Sequence, residues 1–158
     1  MLVYRIAPKE FNDENNCLQG YGGVLSEGRW HFSGAPIVYT ASTRSLAMLE
    51  RLVNDSREIL KTDLSIVIIQ IPDNLKLIRI VEGELDDGWD SNPYIPETQT
   101  LGSDFLADKN AAVLQVPSSL CADEYNFIIN PLHPDAKLIK CTDCTDFKYP
   151  LRLADKLK

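Results

Sequence analysis

The chain has 158 residues, 44% hydrophobic and 25% charged, an ordinary globular composition with length enough for one domain and a sizeable core. Its net charge of −7 and isoelectric point of about 4.8 argue against the broad basic surface that a phosphate backbone requires, so direct nucleic-acid binding is not expected. No run approaches the roughly eighteen apolar residues of a membrane span; with no apolar signal core in MLVYRIAPKE, the expectation is a cytoplasmic protein without membrane contact.

Leu2 to Ile6 alternates apolar and polar residues and reads as a first strand. Ala7 to Gly28 is rich in Asn, Asp and Gly, which predicts an irregular lid over a site. Arg29 follows in a glycine-containing loop where backbone can approach a ligand, and its guanidinium suits a phosphate or carboxylate held by two parallel hydrogen bonds. Neither G-x-G-x-x-G nor a Walker P-loop is present. Pro36 to Thr40 predicts a strand, and Ser42 or Thr43 can cap the helix after it. Tyr39 then lies near the first turn of that helix, either facing a ligand or sitting in the core with a wet hydroxyl. Within the helix, Leu46, Leu49 and Val53 recur as one buried face, and Glu50 falls on the same stripe. An inward carboxylate is either hydrogen-bonded structurally or held ready for chemistry.

Leu64 to Ile71 is the strongest strand signal, and Leu75 to Val81 is expected to pair beside it as a hairpin. From Val81 to Asp108 the chain carries carboxylates and neither Lys nor Arg. Such a run is a solvated face or a means of steering a basic protein partner. A helix is predicted from about Pro96 to Leu106, then strands at Ala111 to Val116, Tyr125 to Ile129 and Ala136 to Cys141, with a basic, polar tail from Phe147 to Lys158. Ser118 and Ser119, at a strand-to-loop junction, either face a cleft or cap the next turn. Cys17, Cys121, Cys141 and Cys144, with two histidines, are poor material for a metal site, and the lone C-x-x-C reads as reduced thiols. The pattern predicts an α+β domain spanning residues 1–158, built on a mixed or antiparallel sheet split into two halves over a cleft.

Two blocks resemble the RES domain, the toxin of bacterial toxin–antitoxin pairs. One is G-R-W-x-x-x-G-x-P-x-x-Y-T through L-A-x-L-E, Gly28 to Glu50; the other runs from L-G-x-x-F-L through V-P-S to N-F-x-x-N-P-x-H-P-D, Leu101 to Asp135. The resemblance implies a fold like that of mono-ADP-ribosyltransferases and a type II toxin that degrades NAD⁺ as substrate, without a further cofactor or a metal. Other members transfer ADP-ribose to a protein, and a module that only binds its antitoxin is a third reading. It also implies an Xre-type antitoxin partner. Carried over by motif, Arg29, Tyr39 and Glu50 are the catalytic set, and Ser118 (or Ser119) and Asn130 complete the substrate site. His31 departs from the family's usual asparagine, and Phe105 from a common tryptophan. Cleavage of a nicotinamide–ribose bond needs a carboxylate near the ribose, a cation for the phosphates and an aromatic wall, which Glu50, Arg29 and Tyr39 can supply.

Overall fold

Seven strands form one mixed sheet in the computed structural model, which describes residues 1–54 and 62–154. The strands are β1 (Leu2–Pro8), β2 (Val38–Ala41), β3 (Leu64–Gln70), β4 (Leu77–Arg79), β5 (Val113–Pro117), β6 (Tyr125–Ile129) and β7 (Lys140–Phe147). Their spatial order is β4-β5-β6-β2-β1-β3-β7. Every neighbouring pair is antiparallel except β4 with β5. β3 runs between β1 and β7 and is buried along nearly its whole length, as its continuous apolar run requires. β1 and β2 meet in register only at Tyr4 and Ala41. The sheet is therefore two halves joined at a narrow seam.

Helices α1 (Tyr21–Leu25), α2 (Arg44–Asn54), α3 (Pro96–Asp108) and α4 (Leu151–Ala154) complete the described chain. Thr43 caps α2, its Oγ1 accepting from Leu46 N–H at 3.0 Å, and Pro96 opens α3 where a missing N–H costs nothing. One face of the sheet buries Val3, Val38, Val67, Ile69, Val113, Phe127 and Ile129, and the segment after β1 covers it with Cys17 and Leu18. On the other face α2 sets Leu46 and Ala47 against Ile6, Ala41 and Ile66. There α3 sets Phe105 and Leu106, with Trp30 and Ile37, against Leu114, Val116 and Ile128. Between the two helices β2 and β6 lie side by side, Ala41 packing with α2 and Ile128 with α3, and this strip is the candidate cleft.

Four expectations are corrected. The strand at Leu77–Arg79 pairs in parallel with β5 at the far edge instead of forming a hairpin with β3, because alternation specifies a strand and not its partner. Arg79 Nε donates to Gln115 Oε1 there, at 3.2 Å. Residues Ala7 to Gly28 are no lid over the cleft; the first part lies on the opposite face and the rest winds into α1. Val53 is 53% exposed, and the fully buried stripe of α2 is Leu46 with Ala47. The last strand begins at Lys140, since Pro134–Leu138 closes into a 3₁₀ turn capped by His133, whose side chain accepts from Asp135 N–H. Of the basic tail, residues 155–158 lie outside the described residues. Among the described residues no helix is long and apolar enough to cross a membrane.

Candidate active site

A four-residue turn presents the first candidate side chain. Gly28 and His31 exchange backbone hydrogen bonds, N–H to carbonyl in both directions, so Arg29 and Trp30 occupy the tip. Trp30 turns inward and is buried. α3 clasps the turn: Gln99 Nε2 donates to His31 O and Ser103 Oγ accepts from Phe32 N–H. Gly102 faces Trp30 so closely that an added Cβ would lie 1.8 Å from its carbonyl oxygen. Arg29, half-buried, points the other way, and its Nη1 donates to Trp89 O. Burial lowers the affinity of its guanidinium for its proton, while Glu50 and Asp90 act in the opposite sense.

Tyr39 stands on β2 beside this turn. Its hydroxyl accepts from Trp30 N–H at 3.2 Å and lies 2.9 Å from His31 Nδ1. The close fit explains Gly28, where an added Cβ would come 2.8 Å from that oxygen. Burial pushes the Tyr39 phenol well above the usual tyrosine range, so it stays protonated.

Glu50, on the cleft side of α2, receives two side-chain donors on one oxygen. Ser118 Oγ and Asn126 Nδ2 both donate to Oε1, at 3.0 and 2.5 Å. The serine's own lone pairs are taken by Leu120 N–H and Cys121 N–H, which aims its proton at the carboxylate. Among the described residues no hydrogen bond reaches Oε2, the oxygen left for a ligand. Both donors come from the β5–β6 hairpin, because Ser118 follows directly on β5 and Asn126 lies opposite Val116 near the start of β6.

Of the residues singled out from sequence, Arg29, Tyr39, Glu50 and Ser118 lie near one another here, and of the two serines it is Ser118 whose hydroxyl bonds Glu50. Asn130 does not join them. It is 1% exposed at the other end of β6, where Nδ2 donates to Leu106 O at 2.9 Å and Oδ1 accepts from Leu132 N–H at 3.0 Å. Those bonds tie β6 to the end of α3. The asparagine that reaches the cleft is Asn126, the first one in the same N-F-x-x-N-P run.

The family model of the RES domain matches residues 2–152. The chain belongs to the RES domain family. It is 36% identical to the Prs ADP-ribosylating toxin of Sphingobium sp. (strain YBL2), over 97% of this chain and 96% of that protein. It is 34% identical to a Toxin Res of Photorhabdus laumondii subsp. laumondii, with both chains covered in full. Its fold is shared with a chain in the crystal structure of the M. tuberculosis MbcT–MbcA toxin–antitoxin complex, at a TM-score of 0.75 and 15% identity, covering 99% of this chain and 87% of that one.

In this RES domain the cleft brings a carboxylate, one of whose oxygens accepts no hydrogen bond among the described residues, a guanidinium and an aromatic ring to one face of the sheet. Asp90 and Tyr94 lie within electrostatic reach of Arg29 as well, so the acidic segment between β4 and α3 borders the site. A hairpin argument on sequence could have found Asn126: a short turn after Ser118 must return the chain beside it.

Proposed function

We propose that this RES domain is the toxin of a type II toxin–antitoxin pair and that it breaks the bond between nicotinamide and ribose in NAD⁺. The observation that carries the reading is Glu50, held by Ser118 and Asn126 through one oxygen while, among the described residues, no hydrogen bond reaches the other. Breaking the bond leaves positive charge on the ribose carbon and ring oxygen. A fixed carboxylate beside it stabilises that charge without reorganising, the largest effect a site of this kind can supply. Oε2 would accept from a ribose hydroxyl. The departing nicotinamide nitrogen is already cationic and takes the bonding electrons, so no proton must be delivered to it. Arg29 would hold the diphosphate, and the Tyr39 ring would line the nicotinamide side. The acceptor that completes the reaction is water or phosphate, and no cofactor enters.

A second reading has a specific ground in the Sphingobium relative, named an ADP-ribosylating toxin. In it the same cleavage ends with ADP-ribose on a protein side chain. Nicotinamide release by the purified protein, measured in phosphate-free and phosphate buffer, separates the two. Release with NAD⁺ alone is expected. Release only when a cell extract supplies an acceptor would favour the second reading, and none under any condition would overturn both. The likeness to a toxin–antitoxin complex supports a protein antitoxin, for which an Xre-type partner is the proposal; co-purification of the two co-expressed chains tests it.

A further inference from the structure

The structure assigns His31 a positioning role: its neutral imidazole accepts the Tyr39 hydroxyl proton and so fixes Tyr39 as an aromatic wall and not a proton donor. What that wall does rests on the function proposed above, whereas the pairing itself is a property of the fold.

The tautomer follows from the partners. His31 Nε2 lies 3.2 Å from Gly23 O, and a carbonyl only accepts, so Nε2 carries the proton. Nδ1 is then a bare lone pair, and the Tyr39 hydroxyl 2.9 Å away must donate to it. The same hydroxyl oxygen accepts from Trp30 N–H. Its single proton is therefore committed to His31. The two rings meet at 55° with centroids 5.6 Å apart, a tilted contact with the hydrogen bond at its edge.

The mount is rigid on every side. His31 is 2% exposed. Its backbone is bridged to Gly28 and held by Gln99 from α3, and its ring is anchored to α1 through Gly23. Burial weakens its hold on a second proton more than the Gly23 and Ser26 backbone carbonyls and the Glu27 carboxylate strengthen it, which keeps Nδ1 available. Tyr39 is the other titratable group against the ring, and burial keeps it protonated too. A phenol fixed in this way cannot swing toward the cleft, so its ring face stays where β2 places it.

Three substitutions separate the two nitrogens. His31→Asn can put an acceptor where Nδ1 stands, His31→Gln can put a donor where Nε2 stands, and His31→Phe keeps only the flat ring. NAD⁺ turnover is expected to survive in His31→Asn, while His31→Phe and His31→Gln lose between about ten- and a hundredfold in kcat/KM, as misplaced binding groups do. In a Tyr39→Phe background, which has no hydroxyl to mount, His31→Phe should cost nothing more. An equal loss in both backgrounds, or a His31→Asn variant as weak as His31→Phe, overturns the assignment. A readout independent of activity is the imidazole nitrogen shifts of the wild-type protein by NMR: the Nε2–H tautomer supports the pairing, and the Nδ1–H tautomer or a charged ring sinks it. Wild-type protein that consumes no NAD⁺ would defeat the function reading alone, with the NMR result still deciding the pairing.

Discussion

Ser118 Oγ and Glu50 Oε1 lie 3.0 Å apart across 68 residues of chain, and that bond joins the helix after β2 to the hairpin of β5 and β6. Glu50→Gln can keep an oxygen facing the same two donors while losing the charge. NAD⁺ consumption is expected to fall by about a hundredfold or more, with the circular dichroism spectrum unchanged. A folded Gln variant working near the wild-type rate would remove Glu50 from the chemistry.

Asn126, in β6, and Asn130, just past its end, sit four residues apart and should behave oppositely. Asn126→Ala takes a donor from the carboxylate in the cleft, so turnover is expected to fall roughly tenfold or more with little change in melting temperature. Asn130→Ala strands a buried carbonyl at Leu106 and an N–H at Leu132, and should cost about 1–3 kcal/mol of stability. Thermal melts and initial rates on both variants give the comparison; a reversed pattern would place the site at the wrong end of β6.

Arg29→Lys should weaken NAD⁺ binding, because an ammonium cannot offer two parallel donors to a diphosphate. Titration calorimetry in the Glu50→Gln background reads the affinity without turnover. Equal affinity in the Lys variant would move the phosphates elsewhere.

Stability should fall on acidification through His31. Burial depresses its proton affinity in the folded state, so as pH drops below about 6.5 the unfolded chain takes up the proton first. The His31 contribution is thus fully present above that pH and is lost below it. Melting temperatures between about pH 7 and pH 5 should drop more steeply in the wild type than in His31→Asn; parallel slopes would show that His31 carries no such linkage.

What could be read from sequence follows what local chemistry determines. The run at Tyr125–Ile129 and the helix opened by Pro96 were legible because alternation, β-branching and proline act within a few residues. Glu50 was legible as an inward acid, though Val53, 53% exposed, is not part of its stripe. Partners were not legible: Leu77–Arg79 alternates like a hairpin strand, yet pairs with residues 36 positions later. Asn126, near the start of β6, meets Glu50 of α2, whereas Asn130, just past its end, meets the end of α3, a difference set by the helices and invisible to strand alternation.

The seam where β1 meets β2 at Tyr4 and Ala41 joins two halves whose strands alternate along the chain, so neither half is complete until its last strand, β6 or β7, has been made. Arg29, Tyr39 and Glu50 precede the residues that hold the carboxylate, which arrive only with Ser118 and Asn126. A growing chain therefore leaves the ribosome without a working centre until most of it has been synthesised, and a product truncated before β6 would contain the arginine, the tyrosine and the glutamate yet be harmless. Under the function proposed above, the order of synthesis is itself a safeguard for the host.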